Sequence, residues 1–217
     1  MADTKSKYKL GMAKWNLSGI TKERLTFFSD AVFAIAITLL ALDIRISGIP
    51  NELISLQLKS KIIELIPNIV GFGLSFWIIS NFWIKYHKIM GLIKKSDSTV
   101  MYLNLLFLMF IAILPFPNSL LGRYPTEQLV IVLYSLCIFI TGIIPNFIWL
   151  HASKKYRLID KSLSKKFIDH VTVRLFVSPL MFLLAVPFSY ISSYISILIW
   201  FLSLPFGSLT ELYFRRN

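Results

Sequence analysis

A chain of 217 residues with 56% hydrophobic and only 16% charged side chains is too apolar for a soluble domain, because such domains carry about 25% charged residues. The formal net charge of +12 would suit a nucleic-acid partner, but the basic residues lie between apolar runs and gather on no single domain, which disfavours one. The composition therefore predicts an all-α, polytopic membrane protein whose basic loops face the cytoplasm and anionic membrane lipid.

Two further features of the sequence bear on processing and cross-linking. The only cysteine is Cys137, so no intramolecular disulfide is expected. Residues 1–23 are polar and basic, and the first apolar run follows them without a small-residue cleavage site. We therefore expect no cleavable signal peptide and a first helix that stays in the mature protein.

Six apolar runs are long enough to cross a bilayer, which takes about 20 residues. Only the stretch around 189–193 separates the last two runs, so that boundary is the weakest. Together the six runs predict a single transmembrane domain over residues 1–217. The predicted spans are 25–45, 62–86, 98–120, 127–150, 171–191 and 194–214.

The distribution of basic residues predicts the orientation. Most lysines and arginines precede spans one, three and five or follow span six, whereas the opposite side has only Arg45, Lys59, Lys61 and Arg123. Basic loops stay in the cytoplasm, so both termini are predicted to be cytoplasmic, as an even number of spans requires. The absence of targeting signals and the shortness of the chain indicate the plasma membrane of a prokaryote.

One stripe of the first span combines small, branched and hydroxyl side chains. Ala31, Ile35, Thr38 and Leu42 follow helical spacing and share a face. If several copies met around an axis, Ile35 and Leu42 would form apolar rings that gate a pore by dewetting. Thr38 would supply oxygen ligands for an alkali cation, and Asp43 would concentrate cations at the mouth.

The same stripe has a simpler interpretation, which stays open at this stage. Ile35 and Leu42 are equally suited to ordinary packing against neighbouring helices. The hydroxyl of Thr38 can donate to a carbonyl of its own helix, as threonines in membrane helices commonly do.

The start of the first span carries polar groups that lipid would not favour. Arg24 and Asp30 are six residues apart, so they do not form an i,i+4 pair, and an unpaired buried charge is costly. We expect partners from His87 and Asp97, near the loop between spans two and three. Alternatively, Arg24 reaches to lipid headgroups and Asp30 is favoured by the helix dipole.

Other functional classes find little support. The sequence has no serine elbow, phosphate-binding loop or paired catalytic carboxylates, so we expect no enzyme. His87, His151 and His170 are not at ligand spacing and are read as groups at span edges, so no metal site is expected. No span has a row of arginines, which argues against a voltage sensor.

A secondary transporter of a small ion or solute remains the alternative, although the inverted repeats typical of transporters are not evident.

Two glycines in the second span, Gly71 and Gly73, lie in Ile69-Val-Gly-Phe-Gly73, which is close to a potassium-filter pentapeptide. That filter needs an irregular loop behind a short pore helix, and this stretch lies within a continuous apolar run. We therefore predict that both glycines mark a close helix–helix contact.

The segment Arg24-x-x-x-Phe28-Ser29-Asp30, followed by Val-Phe-Ala-Ile-Ala-x-Thr38-Leu-Leu, resembles the signature of the transmembrane protein 175 family of potassium channels. The resemblance covers roughly residues 22–120. Asn118 departs from it, since threonine is expected after the Pro-Phe-Pro. Weaker similarities lie at Trp83, His87, Asp97, Asn104 and Leu114-Pro115-Phe116-Pro117.

The resemblance implies a potassium-selective, leak-type channel made of four six-span subunits around a pore lined by the first helix. It implies a constriction near Ile35 and a contribution of the Thr38 layer to selectivity, with K⁺ near Thr38 as the only metal ion and no cofactor. It also implies a polar network that anchors the pore helix. The members of that network would be Arg24, Phe28, Ser29, Asp30, His87 and Asp97.

Overall fold

The computed structural model describes residues 21–46 and 48–202, and this part of the chain is helical, as the composition predicts. Three short 3₁₀ turns, Ala41–Asp43, Asn51–Leu53 and Lys154–Tyr156, lie between the α-helices. The α-helices are α1 (Lys22–Leu40), α2 (Ile54–Glu64), α3 (Ile66–Leu92), α4 (Ser98–Ile113), α5 (Pro115–Arg123), α6 (Gln128–Ser153), α7 (Lys165–Ser189) and the short α8 (Ser193–Leu202).

Five helical segments of the described chain are long and apolar enough to cross a membrane. They correspond to the first five predicted spans. The sixth predicted span begins at α8, and its remainder, from residue 203 onward, lies outside the described residues. The five segments are Lys22–Asp43, Asn51–Leu92, Ser98–Arg123, Gln128–Tyr156 and Lys165–Ser189.

Prolines divide the second and third segments in a way that the hydropathy did not predict. The second segment begins at Asn51, well before the predicted start, and a new helix begins just before Pro67. The third segment breaks at Leu114, and α5 begins with Pro115. Proline lacks an N–H and fits only the first turn of a helix, so each break falls where a proline can start the next helix.

The core of the bundle is built around α6 and the inner side of α1. α6 packs against α4 and α7, while α1 packs against α3 and α4. Phe33 of α1, Tyr86 of α3 and Phe107 of α4 form an aromatic cluster, with ring centroids 5.7 to 6.1 Å apart. Aromatic pairs at such distances add stabilisation beyond the area that they bury, so the cluster fixes α1 on its neighbours.

α3 lies against α5 at one of the two predicted glycine positions. A Cβ at Gly71 would lie 3.6 Å from the Asn118 Oδ1 of α5, in van der Waals contact. A Cβ at Gly73 would have nothing within 4 Å. The predicted close contact is therefore confirmed for Gly71 and wrong for Gly73, because a Cβ at Gly73 would meet no neighbouring helix.

A third glycine brings three helices together. A Cβ at Gly142 of α6 would lie 2.8 Å from the Pro179 Cγ of α7 and 3.2 Å from the Phe82 Cε1 of α3. Such short distances leave no room for a side chain. The sequence thus permits α3, α6 and α7 to meet at this point.

Two loops are joined at the end of the bundle where α1 begins, which we call the basic end. The Lys94 N–H donates to the Leu158 carbonyl at 2.8 Å, and Ile93 forms an antiparallel bridge with Ile159. These contacts draw the loop between α3 and α4 toward the loop between α6 and α7. They decide where the start of α4 lies.

Candidate functional site

The inner face of α1 is buried against the bundle. Leu25, Ser29, Phe33, Ala36 and Leu40 have at most 4% of their surface exposed. They recur every three or four residues, so they lie on one side of the helix. One side of α1 therefore provides the contacts with α3 and α4.

The opposite side of α1 is uncovered in the protomer. We call Ala31, Ile35, Thr38 and Leu42 the open face, since all four are exposed. The exposed fractions of Ile35 and Leu42 are 59% and 64%. The structure thus places the four predicted stripe residues on the side of α1 that no described part of the protomer covers.

The hydroxyl of Thr38 forms the backbone hydrogen bond that the simpler interpretation predicts. Its Oγ1 donates to the Ile35 carbonyl of the same helix at 2.9 Å. A hydroxyl has one proton and two lone pairs. With the proton directed to the helix backbone, the lone pairs remain available on the open face, where they can accept a hydrogen bond or coordinate a cation.

Asp43 is held in place at the far end of the open face. It ends the 3₁₀ turn that follows α1, and its Oδ1 accepts a hydrogen bond from the Ser119 Oγ of α5 at 2.8 Å. The bond restricts the rotamer of the carboxylate. Ser119 was not among the predicted site residues, because only the fold brings α5 beside the end of α1.

A buried hydrogen-bonded group links the inner face of α1 to two other helices. Ser29 Oγ donates to the Leu25 carbonyl at 2.8 Å, lies 2.9 Å from the Tyr86 Oη, and accepts from the Asn104 Nδ2 at 3.0 Å. We call Ser29, Tyr86 and Asn104 the polar triad. A hydroxyl with three partners uses its full capacity, so the triad makes a hydroxyl in the apolar core favourable.

Asp30 is bonded to α3. Its Oδ1 accepts from the Trp83 Nε1 at 2.8 Å and lies 3.2 Å from the His87 Nε2. The rings of Trp83 and His87 are 4.5 Å apart, and the Asp30 side chain is 38% exposed. The predicted pairing of Asp30 with His87 is present, and Trp83 is its second partner.

The remaining predicted members of the anchoring network lie elsewhere. Arg24 and Phe28 are exposed at the start of α1, and Arg24 forms no ion pair with another described residue of the protomer. Asp97 joins neither Arg24 nor Asp30, so the prediction that Asp97 shares their network is wrong. The Ile93–Ile159 bridge joins the loop before α4 to the loop after α6, and the printed partners of the Asp97 side chain lie there and in α4 itself.

Asp97 instead anchors the start of α4 to the end of α6. Its Oδ1 caps α4 by accepting from the Val100 N–H at 3.0 Å. Its Oδ2 lies 2.9 Å from the His151 Nε2 and 3.3 Å from the Arg157 Nη2. His151, read from the sequence as an interfacial residue, is thus a partner of Asp97.

The pKa of Asp97 lies below the ordinary value. Burial alone would raise this pKa, but the hydrogen bonds from His151 and the Val100 N–H and the electrostatic attraction of His151 and Arg157 outweigh that effect. Such bonds favour the ionised carboxylate. Asp97 therefore contributes stability while it is ionised.

Asp97→Asn is expected to lower the stability of the protein at neutral pH by about 1 kcal/mol, the upper range for pairs near the surface. Asparagine still caps a helix, so the loss of stability measures the contribution of the Asp97 charge. Because the folded-state pKa is depressed, the contribution is complete above the ordinary value of about 3.9 and is lost as the pH falls further. Thermal unfolding of both proteins over a pH series measures the difference.

The gap between wild type and Asp97→Asn should close as the pH falls below about 3.9. Asp169→Asn, which removes an exposed carboxylate from α7, is the matched control and should show no such gap. A gap that stays constant with pH would contradict the role assigned to the Asp97 charge.

Two members of the polar triad were not predicted as site residues. Tyr86 and Asn104 are 1% and 0% exposed, yet both carry polar groups within apolar helices. A buried polar group needs a partner, so their position in long apolar runs was a usable signal. Within residues 21–46 and 48–202, no group of three or more His, Cys, Asp or Glu is placed to hold a metal ion.

The fold and the open face define the class of the protein, which is a multi-span membrane protein with one helix face uncovered in the protomer. Residues 24–115 match the family model described as the endosomal/lysosomal potassium channel TMEM175. A potassium channel of Chamaesiphon minutus is 33% identical over 179 residues, covering 80% of this chain and 87% of that protein. The chain therefore belongs to the TMEM175 family.

Two further similarities extend this assignment. The crystal structure of a lysosomal potassium-selective channel TMEM175 homolog from Chamaesiphon minutus matches with a TM-score of 0.75 at 29% identity, covering 87% of this chain and 96% of that one. The endosomal/lysosomal proton channel TMEM175 of Danio rerio is 27% identical over 177 residues, which are 79% of this chain and 34% of that protein. The family is one of ion channels and not of enzymes.

Proposed function

We propose that the protein is a potassium channel of the leak type, in which four copies surround a pore lined by α1. Potassium is the permeating ion because the most similar relative described above is a potassium channel. No other metal ion, cofactor or nucleic acid takes part. The subunit spans the membrane six times, as one domain over the whole chain.

The observation that carries this proposal is the open face of α1. α1 is long and apolar enough to cross a membrane, yet the four residues of its open face are exposed in the described protomer. Lipid would suit Ile35 and Leu42 but offers nothing to Thr38, whose lone pairs would remain unsatisfied. If further copies place the same face around a central axis, with the ion path between them, Ile35 and Leu42 contact apolar neighbours and the lone pairs of Thr38 face the ions.

Each residue of the open face then has a distinct role. Ile35 and Leu42 form two apolar rings about 10 Å apart, given the rise of 1.5 Å per residue. Such rings let a pore close by dewetting and oblige a passing ion to shed water. Thr38 lies between them and supplies oxygen ligands at the narrow part, while Ala31 leaves a wider section toward the basic end.

The surroundings of α1 suit a rigid pore helix. The polar triad and the aromatic cluster fix its inner face, and Asp30 is bonded to Trp83 and His87 of α3. Asp43, oriented by Ser119, places a negative charge at the other mouth, where it would raise the local cation concentration. With no row of arginines on any described helix, membrane voltage has no charged element to move.

The basic end is assigned to the cytoplasm. Among the described residues, the opposite end has as basic side chains only Arg45, Lys59, Lys61 and Arg123, and basic loops remain cytoplasmic. Both termini then lie inside the cell, and membrane lipid surrounds the assembly. We assign the protein to a prokaryotic plasma membrane.

The test is the reversal potential of the purified protein in planar bilayers, with potassium on one side and sodium on the other. We expect a current that reverses close to the potassium equilibrium potential. Because the Danio rerio relative is named a proton channel, a pH gradient under symmetrical potassium is the second arm. A reversal potential that follows the pH gradient instead would overturn potassium as the permeating ion.

A further inference from the structure

The turn that follows α1 carries Leu42 and lies at the surface of the protomer. It spans Ala41–Asp43 and has no buried residue, whereas Leu40, just before it, is fully buried in the bundle. In the part of the chain that the structure describes, the bond from Ser119 of α5 to Asp43 is the only side-chain hydrogen bond or ion pair between this turn and another helix. The position of Leu42 therefore depends on α5.

α5 in turn depends on its neighbours for its own position. It has nine residues and is separated from α4 by the break at Leu114. A helix of this length is marginal by itself, so packing must hold it. Near its end, a Cβ on Gly122 would lie 2.7 Å from the Asn68 Nδ2 and 3.3 Å from the Asn68 Cα of α3. This part of α5 therefore lies directly against α3.

The start of α5 is joined to α3 and α6 by buried hydrogen bonds. The Ser75 Oγ of α3 donates to the Asn118 Oδ1 of α5 at 2.6 Å and lies 2.8 Å from the Tyr134 Oη of α6. All three side chains are at most 3% exposed, and we call them the α5 anchor. Because a buried polar group that loses its partner is costly, these bonds resist a displacement of α5.

Two consecutive residues of α5 connect the α5 anchor to the turn. Asn118 is bonded to Ser75 in the core, and the next residue, Ser119, is bonded to Asp43. A continuous path of hydrogen bonds and one backbone link thus runs from α3 and α6 to the end of α1. All of its members belong to one protomer, so the path holds the turn against its own subunit.

We propose that Ser119 and the α5 anchor are positioning residues, which hold the Leu42 ring apart and so keep the pore filled with water. This role rests on the proposed function, in which four open faces meet around an axis. A bond to the same subunit holds each Leu42 away from that axis. Without the bond, the four side chains can approach one another, bury apolar surface and close the pore by dewetting.

The test is the open probability of single channels in planar bilayers, in symmetrical potassium at about 1 M, where a Debye length of about 3 Å screens the charge of Asp43. Ser119→Ala should lower the open probability roughly fivefold, the effect of one hydrogen bond of ordinary net strength. Ser75→Ala should change it in the same direction. The permeability ratio of potassium over sodium should stay at the wild-type value, because Thr38 is unchanged. Ser119→Thr, which keeps the hydroxyl, should restore the open probability.

Ser135→Ala is the matched control. Ser135 is fully buried on α6 and accepts from the Trp200 Nε1 at 3.0 Å, but that bond joins α6 to α8. Its loss should leave the open probability unchanged. An equal decrease in Ser135→Ala would show that the loss of any buried hydroxyl closes the channel, and would overturn the positioning role.

The wild-type current separates the two proposals. If wild type conducts and Ser119→Ala has the same or a higher open probability, the positioning role is overturned and the channel stands. A decrease that appears only at low salt would assign the effect to the Asp43 charge and would also overturn that role. If wild type passes no potassium current, the proposed function is overturned. If Ser75→Ala does not fold, Ser119→Ala, at a half-buried position, decides the outcome.

Discussion

Thr38→Ala is expected to lower the permeability ratio of potassium over sodium by roughly tenfold, which corresponds to about 1.4 kcal/mol of differential ion binding. The hydroxyl donates to the Ile35 carbonyl at 2.9 Å, so its lone pairs face the proposed ion path. Alanine removes four such groups at once from a tetramer. The Ile35 and Leu42 rings remain, so conduction should persist with less discrimination. Reversal potentials under mixed ions measure the ratio.

Thr26→Ala is the matched control for this prediction. Thr26 lies on α1 too and donates to the Lys22 carbonyl at 3.0 Å, but it is not on the open face. Its loss should leave the ratio unchanged, whereas Thr38→Ser, which keeps the hydroxyl, should stay close to wild type. An unchanged permeability ratio in Thr38→Ala would show that Thr38 does not contribute to selectivity. An equal change in Thr26→Ala would show that the loss of selectivity is not specific to Thr38.

Asn104→Ala is expected to destabilise the protein by about 3 kcal/mol, the largest stability loss predicted for it. The side chain is fully buried, and its Nδ2 donates to the Ser29 Oγ at 3.0 Å. Truncation removes that bond and leaves both a cavity and an unsatisfied hydroxyl acceptor on α1, each of which costs stability. Thermal unfolding in detergent measures the loss.

An asparagine outside the triad gives the control for this loss. Asn81 donates to the Trp77 carbonyl of its own helix at 2.8 Å and makes no hydrogen bond to a second helix within the described part of the chain. Asn81→Ala should cost less than about 1 kcal/mol, the usual net value of a single hydrogen bond. Similar losses in the two variants would contradict the importance of the buried triad for holding α1.

Features that depend on local pattern were predictable without the fold. Apolar length alone locates five of the membrane-crossing segments, because the bilayer imposes the same requirement on every span. The spacing of Ala31, Ile35, Thr38 and Leu42 places them on one stripe, because the helix repeat is constant. The helix breaks at Pro67 and Pro115 were not predicted. Each of these prolines lies at the start of a new helix, which the hydropathy of the sequence does not show.

Features that depend on which helices meet were less predictable. The sequence placed the polar residues of the basic end in one anchoring network. In the structure, Asp30 is hydrogen-bonded to α3, whereas Asp97 is bonded to His151 of α6. The Ile93–Ile159 bridge lies beside the Asp97 contacts, and it joins residues far apart in sequence. Nothing in the local pattern around Asp97 indicates that contact.

The amino-acid sequence by itself determined that the protein crosses a membrane as helices, which side of α1 carries the hydroxyl and branched residues, and to which family it belongs. These follow from composition, from the helix repeat and from a contiguous motif. Only the tertiary structure decided that this side of α1 is left uncovered and that the opposite side is held by Tyr86 and Asn104. Burial depends on packing between distant segments, and the helical pattern of one segment does not contain that information.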